Sequence, residues 1–510
     1  MLVNDFLEQS AKRYPNKVAL VSQNKKVTYI EIENAANSLA NTLIFYGLYK
    51  QDRAAIYLEN SIESVISIFG ILKSSGIFVI INPQVKSKKL EYMLNDCQVK
   101  ILITDTNHLK EISGIIPNCS NLKKVIITDY YKHDNSLLYK FEDALKHPTT
   151  HPLNNLIDMD LASLIYTSGS TGNPKGVMLT HLNMVSAANS IIEYLENTNE
   201  DIVLNCLPLS FDYGLYQVLM TFKFGGTLVL ERSFLYPYHI INIVIKEKIT
   251  GFPIVPTIAA ILLKNKNLGK YDFSRLRYIT STAQVLPVKY IIRLQEIFPN
   301  TKIYSMYGLT ECKRVTYLQP EELLKRPNSV GKAMPNVEVY LLNETGEKIT
   351  TPGEIGELVV RGSNVMKGYW NLPEENVKKL KSGLYPGEKN LFTGDLFKMD
   401  EEYFLYFVAR KDNMIKTAGE IVSPKEVENI LYEIDDIIEA GVIGVPDEFL
   451  GQAIKAIVAL KEDSKLTKED IILYCSENLE KFMVPKYVEI LKQLPKTSTG
   501  KICLKTSQSR

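Results

Sequence analysis

The feature that most narrows the choice of fold is the segment Tyr166-Thr-Ser-Gly-Ser-Thr-Gly-Asn-Pro-Lys-Gly176, which follows the apolar run Leu161-Ala-Ser-Leu-Ile165. Seven of its eleven residues are Gly, Ser or Thr. A buried strand that runs into such a turn can cradle phosphate oxygens. Glycines admit close backbone approach, N–H groups and hydroxyls donate, and Lys175 adds positive charge. The spacing is not that of a Walker A loop, because Asn173-Pro174 separates Gly172 from Lys175 and Gly176 follows the lysine. The usual P-loop fold is therefore disfavoured, while a nucleoside triphosphate stays the natural guest. Gly, Ser, Thr and Asn also fill ordinary surface turns, so the loop gains meaning only from the rest of the chain.

A length of 510 residues suggests about three domains and a sizeable core. The net charge of +1 makes no electrostatic case for nucleic acid. The six cysteines (97, 119, 206, 312, 475 and 503) include no C-x-x-C pair, which argues for a reducing compartment and against disulfides or a zinc site. Met1-Leu-Val-Asn-Asp-Phe-Leu-Glu8 lacks the charge and apolar pattern of a signal peptide. The most apolar stretch, Val65 to Pro83, is interrupted by Lys73-Ser-Ser-Gly76 and reads as helix–turn–strand, not as a membrane span. A cytoplasmic location is the expectation.

Residues 1–155 alternate helical spacing (Ile30–Tyr46) with buried strands at Ala54–Leu58, Phe78–Ile81, Lys100–Thr104 and Lys124–Thr128, which predicts a largely parallel sheet covered on both faces. His147–Leu156, with two prolines, reads as a connector. A second alternation fills 160–310, with strands near 203–207, 227–231, 251–255, 277–281 and 302–306. From about 327 to 409 the pattern changes to short strands broken by Gly and Pro (Val337–Leu342, Glu357–Arg361, Tyr403–Val408), as in a small antiparallel subdomain. The last hundred or so residues mix helices (425–433, 467–478) with strands (438–445, 453–460, 487–491).

Three further segments carry candidate chemistry. Tyr307-Gly-Leu-Thr-Glu311 follows the strand Lys302–Met306. Glu311 at such a tip can hold Mg²⁺ against phosphate oxygens, with Thr310 as a hydroxyl ligand or α-phosphate donor and Tyr307 as a stacking plane; an exposed turn is the plainer reading. In Phe392-Thr-Gly-Asp395 the carboxylate can take both ribose hydroxyls, or close an Asx turn. Pro495-Lys-Thr-Ser-Thr-Gly-Lys501 sets a lysine on a glycine-containing turn, where a solvated side chain is the ordinary outcome.

In this order the four segments resemble the adenylate-forming superfamily of acyl-CoA synthetases, nonribosomal peptide adenylation domains and firefly-type luciferases. The resemblance runs from Thr28-Tyr-Ile-Glu31 to Lys501 and includes Gly353-Glu-Ile-Gly-Glu-Leu-Val-Val-Arg-Gly362, Gly368-Tyr-Trp-Asn371 and Arg410-Lys-Asp-Asn-Met-Ile-Lys-Thr-Ala-Gly-Glu420. It implies an α/β fold: a large N-terminal domain (1–411) of doubly wound βα subdomains plus a small β subdomain, and a mobile α+β C-terminal domain (412–510) hinged at Asp412. It also implies ATP, Mg²⁺ and a carboxylic acid as reactants, an acyl-adenylate as intermediate, and a phosphopantetheine thiol, of CoA or of a separate carrier protein, as acceptor. By the same resemblance Thr167, Ser168, Gly169, Ser170, Thr171, Gly172 and Lys175 would hold the β- and γ-phosphates. Thr310 would bind the α-phosphate, Glu311 Mg²⁺, Asp395 and Arg410 the ribose. Lys501 would bridge carboxylate and α-phosphate, and Gly419 would let the pantetheine arm pass. Two positions depart from the pattern: Ala409 stands where Gly precedes the hinge arginine, and Ser281-Thr-Ala-Gln284 replaces the adenine-side Gly-Gly-Ala-Pro turn.

For the acid, the resemblance implies pocket walls at Asp212, Tyr213, Tyr216, Pro253, Ile279, Ser281, Met306, Arg314 and Val315. In amino-acid-activating domains an Asp at position 212 pairs with the substrate ammonium; alternatively Asp212 caps a helix starting at Tyr213. Arg314 could receive an acidic side chain, or fold away onto Glu311 or solvent. Thr310-Glu-Cys-Lys-Arg314 is similar to free-standing prolyl-AMP ligases, whereas Ala418-Gly-Glu-Ile-Val-Ser-Pro424 leans towards CoA ligases. No carrier motif of the Gly-Gly-Asp-Ser-Leu type occurs, so the thiol is expected in trans. The expected activity is a small-acid or amino-acid ligase. An ordinary fatty or aryl acyl-CoA synthetase, and a silent binding protein of the same fold, are the alternatives.

Overall fold

The computed structural model describes residues 1–129, 135–153, 155–167, 173–417, 420–447, 449–497 and 502–504. Two large sheets carry the first two thirds of the chain. In one, Leu161–Thr167, Ile77–Ile80, Arg53–Tyr57, Ile101–Thr104, Lys124–Ile127 and Leu138–Lys140 run parallel, with Lys175–Thr180 and Gly368–Tyr369 added antiparallel at one edge. In the other, Lys302–Tyr307, Tyr278–Ser281, Gly251–Ile254, Ile202–Asn205, Thr227–Leu230 and Val18–Ser22 are parallel. Strands such as Ile77–Ile80 and Ile101–Thr104 are buried at every residue, as parallel strands covered by helices on both faces must be.

The division at residue 155 does not survive folding. Val18–Ser22 leaves the first half and pairs with Thr227–Leu230 in the second sheet, with Leu20 opposite Leu228, while Leu161–Thr167 and Lys175–Thr180 cross back into the first. The expected small subdomain is a five-stranded antiparallel sheet (Val337–Leu342, Gly356–Gly362, Leu380–Ser382, Lys389–Met399, Leu405–Arg410). Its last strand begins two residues later than the sequence suggests, because Tyr403 turns the chain with φ of 65°. A fourth sheet (Ile415–Thr417, Glu420–Val422, Ile437–Asp447, Gly451–Leu460, Tyr487–Leu491) packs against helices Pro424–Glu433 and Lys468–Asn478. Asp412 lies in the short turn Lys411–Asn413 between the third and fourth sheets.

Local signals explain several boundaries. Thr28-Tyr-Ile-Glu31 is a capping box that starts the helix Tyr29–Phe45: Glu31 N–H donates to Thr28 Oγ1, and Thr28 N–H donates to Glu31 Oε2 at 2.8 Å. The connector near 150 is latched to that helix, with Asn37 and Asn41 donating to the carbonyls of Thr149, Pro148 and Thr150. Lys73 is fully buried between Glu8 (2.9 Å) and Glu33 (2.8 Å), joining the helices Asp5–Arg13, Tyr29–Phe45 and Ile62–Lys73. The C-terminal unit docks through Tyr290, whose hydroxyl donates to Ile438 O at 2.6 Å, and Lys289, which donates to Ile437 O. Burial there pulls the Lys289 amine down to about 8.

Candidate active site

A cleft of about 1250 Å³ opens between the second sheet, the third sheet and the C-terminal unit. It brings together Thr167, Asp212, Tyr213, Met306, Tyr307, Thr310, Glu311, Arg314, Asp395, Arg410 and Asp412, segments scattered over nearly 250 residues. Thr497 and Ile502–Leu504, on either side of the Lys501 turn, border the same cleft. Ser168, Gly169, Ser170, Thr171, Gly172, Gly419 and Lys501 themselves lie outside the described residues.

The glycine-rich loop joins two antiparallel strands, Leu161–Thr167 and Lys175–Thr180, with Tyr166 opposite Gly176 and Thr167 opposite Lys175. Gly176 packs closely: a Cβ there would meet Tyr166 at 3.2 Å, tighter than usual, and Trp370 at 3.4 Å. Tyr166 donates its hydroxyl to Asp96 at 2.5 Å, and Trp370 Nε1 donates to Asp96 O at 3.0 Å, so the hairpin is braced from behind. Lys175 is not the free cation its sequence suggests. Its ammonium holds Glu375 Oε2 at 2.6 Å, and this bond, with that of Lys378, pulls the Glu375 carboxyl down to about 2.

Glu311 and Asp395 are each held by a tyrosine. Tyr369 donates to Glu311 Oε1, and Tyr307 donates to Asp395 Oδ2, both at 2.6 Å. The Tyr307 ring packs edge-on against Phe397 at 4.9 Å, so it also anchors a carboxylate besides offering a face. Asp395 and Arg410 are cross-strand neighbours at 3.2 Å. Burial pushes the Asp395 carboxyl up, opposed by Arg410 and the Tyr307 hydroxyl. Tyr369 was visible in sequence only as part of Gly368-Tyr-Trp-Asn371, with no role attached. A long-range hydroxyl–carboxylate bond leaves no local spacing signal.

On the acid side, the helix begins at Asp212 itself with Phe211 at its N-cap, and no side chain caps it. Asp212 therefore does not cap a helix starting at Tyr213; it lines the cleft. Tyr213 is fixed by its hydroxyl, 2.8 Å from Thr280 O. Tyr216, Pro253, Ile279, Ser281 and Val315 are buried behind the cleft wall and do not line it. Of the adenine-side turn, Thr282, Ala283 and Gln284 face the cleft, and Ala283 takes φ of 81°, a conformation favoured by glycine.

The turn after the strand Lys302–Tyr307 closes on Gly308, where a Cβ would meet Lys313 O at 1.9 Å. Asn364, fully buried, donates to Cys312 O (2.7 Å) and Arg314 O (3.0 Å) and clamps the turn. Arg314 folds neither onto Glu311 nor into solvent: it is buried, with its guanidinium 5.0 Å from the Tyr213 ring centre. Lys313 is a cleft residue that sequence reasoning missed, because a lysine next to an arginine reads as a solvated pair. It is buried over the Tyr216 ring, and burial pulls its amine down to about 8 against the opposing pull of Asp212 and Glu311. No cluster of three His, Cys, Asp or Glu suited to a metal occurs among the described residues. A lone carboxylate that lines the cleft, as Glu311 does, is a residue that could hold Mg²⁺ together with phosphate oxygens and water.

This architecture, two α/β layers and a separate C-terminal unit closing over a nucleotide-sized cleft, defines an adenylate-forming enzyme. The chain belongs to the AMP-binding enzyme family: the model of that family matches residues 7–370, and that of the AMP-binding enzyme C-terminal domain matches 426–501. It is an AMP-forming acid–thiol ligase. Its relatives include a long-chain-fatty-acid–CoA ligase of Bacillus subtilis, 35% identical over 98% of this chain and 93% of the relative. Among solved structures, an anthranilate CoA ligase in complex with anthranoyl-AMP superposes with a TM-score of 0.90 at 28% identity, covering 98% of this chain and 95% of that one. The o-succinylbenzoate coenzyme A synthetase of Bacillus subtilis, in complex with ATP and magnesium, gives 0.85 at 27% identity, covering 99% of each.

Proposed function

We propose that the chain condenses a small carboxylic acid with ATP and Mg²⁺ and passes the acyl group to the thiol of CoA. The observation that supports this reading is one cleft lined by the ion pair Asp395–Arg410, by Thr310 and Glu311, and by Asp212. In the first step a carboxylate oxygen attacks the α-phosphorus, the bond to the bridging oxygen breaks, and pyrophosphate leaves. In the second the CoA thiol attacks the acyl carbon, AMP leaves and the thiol proton is released.

Within that scheme the residues have distinct tasks. Asp395, held by Tyr307 and Arg410, takes the ribose hydroxyls. The 167–175 segment receives the β- and γ-phosphates. Thr310 donates to the α-phosphate, and Lys501 offsets charge where two anions meet. Mg²⁺, when bound at Glu311, neutralises phosphate charge. Rotation about Asp412 would withdraw Lys501 and bring Gly419 to the acyl group. CoA is preferred over a carrier protein because the relatives matched over nearly the whole chain are CoA ligases. An amino acid substrate is the second reading, supported by Asp212 in the pocket. Acid-dependent pyrophosphate exchange, followed by thioester formation with free CoA, tests the proposal. Exchange with small acids and a CoA thioester product is the expected result. Exchange without any CoA thioester would return the acceptor to a carrier protein.

A further inference from the structure

The part of the cleft lined by Asp212 holds two buried cations, more positive charge than an uncharged acyl chain can use. Lys313 is 3% exposed and Arg314 is 6% exposed, and both border the cleft. Lys313 Nζ and Arg314 Nε are buried with no hydrogen-bond partner among the described residues. Asp212 and Glu311 act on Lys313 through space only, and burying a charged donor without a hydrogen-bond partner is among the more expensive things a fold can do. The backbone is bent to achieve it. Lys313 takes φ of 65°, a left-handed conformation unfavourable for a side-chain-bearing residue, and Asn364 with Gly308 holds the turn in that shape. A left-handed backbone and an unsatisfied ammonium at the same residue point to a ligand group that completes the site.

We propose that the acid activated by this enzyme carries a second carboxylate, received by Lys313 and Arg314 while the first is adenylated. The inference rests on the function proposed above and names its substrate class. Charge decides against the alternatives. With Glu311 committed to Mg²⁺ as in the function proposed above, Asp212, Lys313 and Arg314 leave one net positive charge, which one distal carboxylate neutralises. A long alkyl tail would displace water from both cations and replace it with nothing. A guanidinium is suited to the planar, two-oxygen geometry of a carboxylate, with the lysine as a second point of attraction. A substrate ammonium beside Asp212 is compatible with this arrangement, so plain dicarboxylic acids and acidic amino acids share the recognised chemistry.

The test compares matched acids in pyrophosphate exchange with the full-length enzyme: succinate with butyrate, glutarate with valerate, and glutamate with norvaline. We expect kcat/KM for the dicarboxylate to exceed that of its partner by about a hundredfold or more, and Lys313→Met or Arg314→Met to reduce that ratio by at least about tenfold. Glutamate outperforming glutarate would assign Asp212 to the ammonium and keep the proposal. Monocarboxylates used as well as dicarboxylates by the wild type, a result that needs no variant to fold, would overturn it. An unchanged ratio in both variants would do the same. If no acid supports exchange, the proposed function fails separately. Calorimetric binding of glutarate but not valerate would then still uphold the pocket assignment, and binding of neither would end it.

Discussion

Tyr369 donates its hydroxyl to Glu311 across the meeting point of two sheets, at 2.6 Å. Tyr369 comes from the edge strand of the first sheet and Glu311 from the turn that ends a strand of the second, so the bond sets the position of the carboxylate relative to the strand Lys175–Thr180. Burial, reinforced by Glu311, pushes the phenol well above its ordinary value and keeps it a donor at any working pH. Tyr369→Phe should therefore raise the Mg²⁺ concentration needed for half-maximal pyrophosphate exchange by about tenfold, the worth of one hydrogen bond to a charged group. A Mg²⁺ titration reads it; an unchanged curve would remove Tyr369 from the metal side of the site.

Glu375 competes for the lysine assigned to the departing phosphates. Glu375→Gln should lower the KM for ATP several-fold by releasing Lys175 from an ionic partner to a neutral one. The wild-type carboxyl is held at about 2, so the pair is complete above the ordinary carboxylate value and is lost only as pH falls towards 2. Between pH 5 and 9, then, Glu375 should contribute no inflection to the ATP KM. A rise in KM in the variant would show that the glutamate orients the lysine instead of competing with it.

Lys501→Ala should cripple adenylation and spare thioester formation from supplied acyl-adenylate. A loss of about a hundredfold or more in the first half-reaction alone is expected for removing a cation where charge accumulates. Single-turnover assays of the two halves measure it, and an equal loss in both would contradict the division of labour.

Lys73→Met should leave Glu8 and Glu33 facing each other without their cation, and lower stability by about 3 kcal/mol in urea denaturation at pH 7. Burial by itself raises the Glu8 carboxyl, but Lys73, Asn4 and His151 outweigh it and hold it below its ordinary 4.5. A depressed carboxylate contributes its stability in full above that value and loses it as pH falls through the folded one. The wild type should therefore weaken below pH 4.5 through this group, and the variant should show less of that loss. Equal slopes in both would place the acid sensitivity elsewhere.

Much of this was legible in the chain. The apolar run Phe78–Ile81 announced a buried parallel strand, found at Ile77–Ile80, and the spacing of Ile30–Tyr46 announced the helix found at Tyr29–Phe45, because both depend on neighbours in sequence. The exchange of Val18–Ser22 for Leu161–Thr167 and Lys175–Thr180 between sheets was not legible, since strand partners are chosen by global packing. Arg314 drew notice as an odd pocket residue, yet Lys313 beside it did not. Only the left-handed turn clamped by Asn364 turns both side chains inward.

By itself, then, the sequence identified the class: a hydroxyl- and glycine-rich segment after a buried strand, the Thr310-Glu311 tip, Asp395, Arg410 and a C-terminal lysine are residue patterns that the resemblance to adenylate-forming enzymes ties to phosphate, ribose and carboxylate. Tertiary structure alone decided which charges meet. It paired Lys175 with Glu375, gave Glu311 and Asp395 their tyrosines, denied Asp212 its capping role, and left Lys313 Nζ and Arg314 Nε buried without a hydrogen-bond partner among the described residues. The reason is physical. Residue type sets what a group can do, but the field it experiences depends on burial and on partners brought from tens or hundreds of residues away.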